Sequence, residues 1–250
     1  MLEGLKGNRK VVMLTAYDYQ VARLVEQAGV DLILVGDSLG MVVLGYESTK
    51  QVTMQEMLHH TRAVARGARN TPIIGDMPIG SYATPQLAVE NARKFIEVGA
   101  KGVKVEGCVT DVIERLVSDG IPVMGHLGLL PQTAESYKLV GKGDDAEKIF
   151  RDAQTVDKLG VFSLVLECMP EQLAKKITEN VKSITIGIGA GKYCDGQVLV
   201  INDLLGMDES FKPKYVKRYA KLSEVIKKAV VDFREEVKDG RFPDDAHSFH

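Results

Sequence analysis

The chain has 250 residues, of which 45% are hydrophobic and 26% charged, a composition typical of a globular protein with a sizeable core. Its net charge of −2 gives no reason to expect a nucleic acid or an anionic membrane as a partner. No run approaches the roughly 18 consecutive apolar residues of a membrane-spanning helix. The amino-terminal apolar patch is too short for a secretory signal. Three cysteines without a CxxC pair favour free thiols, and we expect a cytoplasmic protein.

Short aliphatic runs predict eight β-strands that alternate with amphipathic stretches. The strands are predicted at residues 11–16, 31–37, 72–76, 102–106, 122–126, 163–167, 184–189 and 197–202. Near-continuous aliphatic runs of this kind are typical of parallel strands covered on both faces.

The segments between the strands carry helix signals. Thr53 and Glu56 have the spacing of a capping box, and Thr84 followed by Pro85 supplies an N-cap and a proline at the first helical position. Further helices are predicted at residues 110–120, 144–160 and 213–237.

This alternation predicts an α/β fold, a (β/α)8 TIM-type barrel, with a C-terminal helical extension. We find no Pro/Ser-rich linker, so a single domain over residues 1–250 is predicted. An open doubly wound sheet is the alternative fold. Such a sheet does not close on itself, so it gives no reason for a count of eight strands.

Polar or ionisable side chains stand at the carboxyl ends of five successive predicted strands. They are Asp37 with Ser38, Asp76, Lys104 with Glu106, His126, and Glu167. In a (β/α)8 barrel these strand ends meet at one mouth, where active sites lie. Any one of these residues could simply cap a loop or helix. Five such strand ends together favour an active site.

The predicted strand 102–106 carries both a cation and an anion. Side chains alternate along a strand, so Lys104 and Glu106 share one face. Buried charges persist when they are paired or metal-bound, which predicts an inward position near the mouth. Asp37, Asp76 and Glu106 offer hard oxygen ligands, which suit Mg²⁺ better than Zn²⁺. A plain Lys104–Glu106 ion pair without a ligand is the alternative.

Glu167 and His126 are the candidate proton-transfer groups. Glu167 stands at the end of an aliphatic run, where a carboxylate can act as a base. His126 could donate a hydrogen bond to a substrate, act as an acid, or be a satisfied structural histidine. A metal, a lysine and a carboxylate base together predict metal-assisted removal of a proton beside a carbonyl, with carbon–carbon bond making or breaking.

A series of motifs in chain order resembles the ketopantoate hydroxymethyltransferase family. From about residue 10 to the final "HSFH", the motifs are "LTAYDY", "VGDSLGMVVLG", "GDMP", "YATP", "VKVEG", "GHLGLLPQ", "LVLECMP", "IGIGAG" and "DGQVLVINDLLG". The resemblance implies transfer of the one-carbon unit of 5,10-methylenetetrahydrofolate to 3-methyl-2-oxobutanoate. The product is 2-dehydropantoate (ketopantoate), in pantothenate and coenzyme A biosynthesis. The resemblance also implies a (β/α)8 barrel and a homodecamer of two stacked pentamers.

The resemblance also implies roles for individual residues. One Mg²⁺ per subunit would be bound by Asp37, Asp76 and Glu106. The substrate-binding residues would be Asp37, Ser38, Asp76, Lys104 and His126. Glu167 would be the catalytic proton acceptor, which produces an enolate that Mg²⁺ stabilises and that attacks the methylene group of the folate co-substrate.

Two other functions are compatible with parts of this pattern. A Mg²⁺-dependent 2-oxo acid lyase or mutase of the phosphoenolpyruvate mutase and isocitrate lyase kind also stabilises an enolate. Such enzymes generally use a cysteine on a mobile loop, and none of the three cysteines here lies in such a motif. A non-catalytic scaffold is the other alternative, although every matched strand-end position carries the expected group.

We expect residues 134–143 to form a loop of a type that covers an active site.

Overall fold

The chain forms a closed barrel of parallel strands. The computed structural model describes residues 4–136 and 138–250. The strands in these residues are β1 (Val11–Thr15), β2 (Leu32–Val35), β3 (Ile73–Asp76), β4 (Gly102–Glu106), β5 (Val123–Gly128), β6 (Ser163–Glu167), β7 (Ile184–Ile188) and β8 (Gly196–Leu199). Each strand pairs in parallel with the next, and β8 pairs with β1. This confirms the predicted (β/α)8 barrel and excludes the open sheet.

Helices connect most of the strands. They are α1 (Tyr19–Gln27), α2 (Leu39–Val42), α3 (Met54–Gly67), α4 (Pro85–Glu97), α5 (Thr110–Ser118), α6 (Asp144–Lys158), α7 (Glu171–Asn180), α8 (Ile201–Leu205) and α9 (Leu222–Lys238). The predicted capping box is present, because Thr53 Oγ1 accepts from Glu56 N and Glu56 Oε2 accepts from Thr53 N. Thr84 Oγ1 likewise accepts from Leu87 N at the start of α4.

The barrel interior is aliphatic toward one end and polar toward the other. Its buried apolar residues are Val11, Met13, Leu32, Leu34, Ile74, Met124, Val165, Ile184, Ile186 and Val198. Along β5, Met124 is followed two residues later by His126, and along β6, Val165 is followed by Glu167. Since residues two apart share a strand face, polar side chains replace the aliphatic core at the carboxyl ends of the strands.

The segment before β1 lies against the amino ends of the strands. Leu5 packs against the aliphatic core. Lys6 Nζ donates to Ser183 O at 2.9 Å and to Asp195 Oδ2 at 2.8 Å. Asp195 Oδ2 also accepts from Thr185 N at 2.9 Å. These contacts tie the segment to the starts of β7 and β8, opposite the polar mouth.

The two largest errors in the predicted element boundaries concern the eighth strand and the last helix. The eighth strand, predicted at 197–202, is Gly196–Leu199, since its pairing with β1 ends at Leu199 and the chain turns into α8. The helix predicted over 213–237 begins only at Leu222. A turn in which Val216 N donates to Pro213 O precedes it, and Tyr219 N donates to Leu204 O instead of continuing a helix.

The chain divides into two compact units. Residues 1–200 contain the barrel, and residues 201–250 contain α8 and α9. The single domain over residues 1–250 stays a prediction. In the part of the chain that the structure describes, no helix has the length and apolar character to cross a membrane.

Candidate active site

The structure brings the predicted strand-end side chains together at the mouth of the barrel. We call the following side chains the mouth cluster: Asp37, Asp76, Lys104, Glu106, His126 and Glu167. All but Glu167 are at most 5% exposed, and the Glu167 side chain is 13% exposed. Ser38 follows Asp37, and its Oγ lies 2.8 Å from Tyr17 Oη. On β3 to β6, Asp76, Lys104, His126 and Glu167 each follow an aliphatic or glycine position by two residues, and Glu106 follows Lys104, so all five lie on the inner face.

Lys104 lies between the carboxyl groups of β3 and β4. Its Nζ is 2.9 Å from Asp76 Oδ1 and 3.5 Å from Glu106 Oε1. Burial by itself lowers the pKa of Lys104, but the carboxylates of Asp76, Glu106 and Asp37 more than offset it and raise that pKa. The lysine is therefore an ammonium ion. The inward position of both charges of β4 is confirmed, and Lys104 has Asp76 as its nearest acidic neighbour in addition to Glu106.

His126 lies between Glu106 and Glu167. Its Nδ1 is 3.3 Å from Glu106 Oε1, and its Nε2 is 3.2 Å from Glu167 Oε2. Burial and the Lys104 ammonium lower the pKa of His126, but Glu106 and Glu167 outweigh them and raise it to about 9. Nδ1 also lies 3.2 Å from Lys104 Nζ, a contact in which a neutral ring would accept a hydrogen bond. Two carboxylates facing one imidazole favour the protonated ring over that neutral tautomer.

Asp37 and Asp76 form a buried acidic pair. Asp37 N donates to Asp76 Oδ2 at 3.0 Å. Burial raises the pKa of Asp37 well above its usual range, and the neighbouring charge of Asp76 raises it further. Burial also raises the pKa of Asp76, against the opposing effect of Lys104. The pair is therefore costly to ionise fully unless a further positive charge is bound beside it.

Gln132 and Tyr82 join the mouth cluster although neither was predicted to belong to it. Gln132 is 1% exposed, and its Nε2 donates to Asp37 Oδ2 at 2.9 Å. Its backbone N–H donates to Glu106 Oε2 at 3.1 Å. The Tyr82 hydroxyl donates to Gln132 Oε1. The sequence signals were the places of Gln132 in "GHLGLLPQ" and of Tyr82 in "YATP", since neither side chain carries a charge that would mark it as a site residue.

Buried oxygen atoms of the mouth cluster fit a hard cation. Asp76 Oδ1 and Glu106 Oε1 have no well-directed hydrogen bond, although both lie within ion-pair distance of Lys104. Lys104 therefore attracts these two oxygens electrostatically without making a well-directed hydrogen bond to either. Among the described residues, no three His, Cys, Asp or Glu side chains form a complete metal-binding group. Mg²⁺ does not need one, because it keeps several waters, and a carboxylate can hold it through one of them.

The charge balance of the mouth cluster also favours a divalent cation. Its four carboxyl groups face two cationic side chains, Lys104 and His126, which leaves two excess negative charges when all are ionised. Protonation of Asp37, with its raised pKa, relieves part of this excess. A divalent cation would neutralise it without a proton, and its binding would release that proton.

The cysteines have no place in this chemistry. Cys108, Cys168 and Cys194 are free thiols, as predicted. Cys168 follows Glu167 in a left-handed conformation with φ of 47°. Burial and the adjacent Glu167 raise the pKa of the Cys168 thiol to about 11, so it is protonated and a poor nucleophile at neutral pH.

The loop predicted to cover the site is held at two points. Val140 N donates to Cys168 O at 3.0 Å, beside Glu167. Lys50 Nζ donates to Ala134 O at 2.9 Å. Tyr137 of this loop lies outside the described residues. The covering role of the loop over residues 134–143 stays a prediction.

A (β/α)8 barrel with buried carboxylates, a lysine and a histidine at the carboxyl ends of its strands has the architecture of a barrel enzyme. A family model described as ketopantoate hydroxymethyltransferase matches residues 1–245. The chain belongs to the ketopantoate hydroxymethyltransferase family.

Curated relatives support this membership over nearly the whole chain. A 3-methyl-2-oxobutanoate hydroxymethyltransferase of Syntrophus aciditrophicus (strain SB) is 54% identical over 252 residues, covering 98% of this chain and 93% of the relative. The protein of the same name from Thermotoga maritima is 52% identical over 255 residues, covering 99% of this chain and 94% of the relative.

Solved structures with low sequence identity share the fold. Phosphoenolpyruvate phosphomutase from Streptomyces platensis subsp. rosaceus has a TM-score of 0.64 at 15% identity, covering 94% of this chain and 85% of that chain. Phosphonopyruvate hydrolase, in a complex with oxalate and Mg²⁺, has a TM-score of 0.65 at 15% identity, covering 98% and 89%. At such identities the similarity is one of fold.

Proposed function

We propose that this protein transfers the one-carbon unit of 5,10-methylenetetrahydrofolate to 3-methyl-2-oxobutanoate and forms 2-dehydropantoate, a step of pantothenate and coenzyme A biosynthesis. The family match over residues 1–245 is the observation that carries this proposal. The relatives at 51–54% identity bear the name of this activity, and the mouth cluster has the groups that its chemistry needs.

Asp37, Asp76 and Glu106 would hold a Mg²⁺ ion, one per subunit. The unsatisfied oxygens of Asp76 and Glu106 and the excess negative charge of the mouth cluster support this assignment. When bound, the ion supplies Lewis-acid stabilisation for negative charge that develops on the 2-oxo group of the substrate.

Lys104, His126 and Ser38 would bind and orient the substrate, together with Asp37 and Asp76. The Lys104 ammonium is buried, so its attraction for a substrate carboxylate is little weakened by water. His126 carries a positive charge beside Glu106 and can donate a hydrogen bond from either ring nitrogen. The Ser38 hydroxyl, held by Tyr17, is a further donor.

Glu167 would remove the proton from C3 of the substrate. Its carboxylate is partly exposed at the mouth, where a substrate can reach it, and one of its oxygens lies 3.2 Å from His126 Nε2. The resulting enolate carbon forms a carbon–carbon bond to the folate methylene carbon. Both bonds from that carbon to the folate nitrogens break, and the two nitrogens receive the proton taken from C3 and one proton from water. One water supplies the hydroxyl oxygen, and tetrahydrofolate is released with 2-dehydropantoate.

Proton exchange at C3 tests the first step separately from one-carbon transfer. The protein is incubated with 3-methyl-2-oxobutanoate and Mg²⁺ in D₂O, and loss of the C3 proton is followed by NMR with and without EDTA. Methylenetetrahydrofolate is then added and 2-dehydropantoate is measured. Glu167→Gln is expected to slow exchange by about 10²–10⁴-fold, the usual contribution of a general base. Product formation at the wild-type rate by this variant would exclude Glu167 as the base.

The same assay separates the transferase from the lyase or mutase alternative. A lyase or mutase would act on a 2-oxo acid substrate without folate, whereas the proposed transferase forms no product until folate is present. The fold shared with phosphoenolpyruvate phosphomutase does not favour that alternative, because the sequence relatives at high identity carry the transferase name.

The homodecamer of two stacked pentamers and the cytoplasmic location belong to the same proposal. Helix α9 carries apolar side chains that are 42–62% exposed, which is typical of a surface that contacts another protein copy. They are Val225, Ile226, Val230, Val231, Phe233 and Val237. Light scattering on the purified protein measures the assembly directly, and a monomer would exclude the decamer.

A further inference from the structure

Gln132 uses all of its side-chain polar groups, and none of them contacts solvent. Its Nε2 donates to Asp37 Oδ2 and to Met77 O, both at 2.9 Å. Its Oε1 accepts from the Tyr82 hydroxyl. A flipped amide would lose both bonds that Nε2 makes, because a carbonyl oxygen would then face two acceptors, while the NH₂ group could still donate to the Tyr82 hydroxyl. The amide therefore has one orientation.

Gln132 also reaches a second carboxylate through its backbone. Its N–H donates to Glu106 Oε2 at 3.1 Å. One residue of the segment after β5 thus contacts the acid that follows β2 and the acid that ends β4. Met77 and Tyr82, from the segment after β3, are bound by the same amide. Gln132, which follows β5, thus connects the carboxyl-terminal ends of β2, β3 and β4.

The hydrogen bonds of Gln132 occupy one oxygen of each carboxylate and leave the other. Asp37 Oδ2 and Glu106 Oε2 receive its hydrogens. Glu106 Oε1 has no well-directed hydrogen bond. Unlike Lys104, both donors are neutral, so the side-chain amide orients Asp37 and the backbone N–H orients Glu106 without neutralising either charge. The negative charge needed to attract a cation is preserved.

We propose that Gln132 is a positioning residue that orients Asp37 and Glu106 for binding of the divalent cation. This inference rests on the proposed function, since it assumes that these two acids face the cation. Partners of this kind commonly change metal affinity by about 10–100-fold when they are removed. Gln132 itself contributes no ligand atom, because its amide oxygen is already bound to Tyr82.

Titration of the metal-free protein with Mn²⁺, followed by electron paramagnetic resonance without substrate, tests this role. Gln132→Met keeps the length of the side chain but removes its donor and acceptor groups. The expected result is a dissociation constant for Mn²⁺ raised by about tenfold or more. Gln197→Met makes the same change on β8, where the amide donates to Gly191 O, and is expected to leave the constant unchanged.

Thermal melting in EDTA separates positioning from packing. A purely structural glutamine would lower the melting temperature of Gln132→Met without changing the Mn²⁺ affinity of the folded protein, and that result overturns the inference. If Gln132→Met does not fold, Tyr82→Phe decides, because it removes only the hydroxyl that holds the amide. Weakening of Mn²⁺ binding by about threefold or more supports the inference, and wild-type affinity overturns it.

Failure of the inference and failure of the proposed function give different results. Wild-type protein that binds Mn²⁺ and catalyses C3 exchange, beside a Gln132→Met variant of equal affinity, overturns the role of Gln132 alone. Wild-type protein that binds no Mn²⁺ overturns this role together with the metal site of the proposed function.

Discussion

Replacement of Lys104 by methionine is the most direct test of the electrostatics of the mouth cluster. Lys104 Nζ lies 2.9 Å from Asp76 Oδ1 and 3.5 Å from Glu106 Oε1, with only 4% of its side chain exposed. At an effective dielectric constant of about 20, these distances correspond to gross attractions of roughly 6 and 5 kcal/mol. The cost of burying the lysine offsets much of this attraction, so the net contribution is smaller.

Removal of one partner from a buried ion pair costs about 3–5 kcal/mol, since the remaining carboxylates stay buried without compensation. For a chain of this size each kcal/mol corresponds to roughly 2–4 °C, so Lys104→Met is expected to lower the melting temperature by about 6–20 °C in EDTA. Mg²⁺ should restore part of this loss, because a cation bound beside the same carboxylates replaces the lost charge.

Differential scanning calorimetry at one protein concentration, with EDTA or Mg²⁺, measures both effects. Lys148→Met is the matched control, because Lys148 makes an ion pair with Asp152 at 2.7 Å but has a side chain that is 69% exposed. Exposed pairs contribute about 0–1 kcal/mol, so this variant should melt within a few degrees of wild type. Equal melting temperatures for Lys104→Met and wild type, or equal losses in the two variants, would show that the buried Lys104 ion pairs stabilise the fold no more than an exposed pair does.

Two further predictions concern pH and backbone space. The folded-state pKa of His126 is about 9, above its ordinary value of 6.5. Its contribution to the free energy of unfolding is therefore complete below pH 6.5 and is lost as pH rises toward 9. Calorimetry in EDTA should show that the free energy of unfolding falls by on the order of 3 kcal/mol over that pH range in wild type and by clearly less in His126→Gln. The same pH dependence of stability in both proteins would contradict this role of His126. A Cβ on Gly128, which has φ of 99°, would overlap the Glu167 carbonyl oxygen, whereas one on Gly80, with φ of 81°, would meet nothing within 4 Å. Urea unfolding should therefore show about 1–2 kcal/mol lost in Gly80→Ala from backbone strain alone and a clearly larger loss in Gly128→Ala; equal losses would disprove the close contact.

The barrel was predictable because its signals are local. Aliphatic runs separated by helix caps identify eight strands, and the capping box of Thr53 and Glu56 forms as its spacing predicts. The boundaries that failed depend on non-local pairing. The eighth strand ends at Leu199 because its pairing with β1 ends there, and the residues before Leu222 bond to α8 instead of extending α9.

The strand-end residues that reach the mouth were predictable from the sequence, because the alternation of side chains along a strand and the common direction of parallel strands need no knowledge of distances. How those residues pair became visible in the tertiary structure. It places Lys104 nearest to Asp76, puts His126 between Glu106 and Glu167, and brings in Gln132 from a loop. Pairing depends on side-chain positions from several strands and loops at once. The charge of His126 and the orientation of the Gln132 amide depend on such neighbours. They lie 22 residues apart in the chain for His126 with Lys104 and 95 residues apart for Gln132 with Asp37.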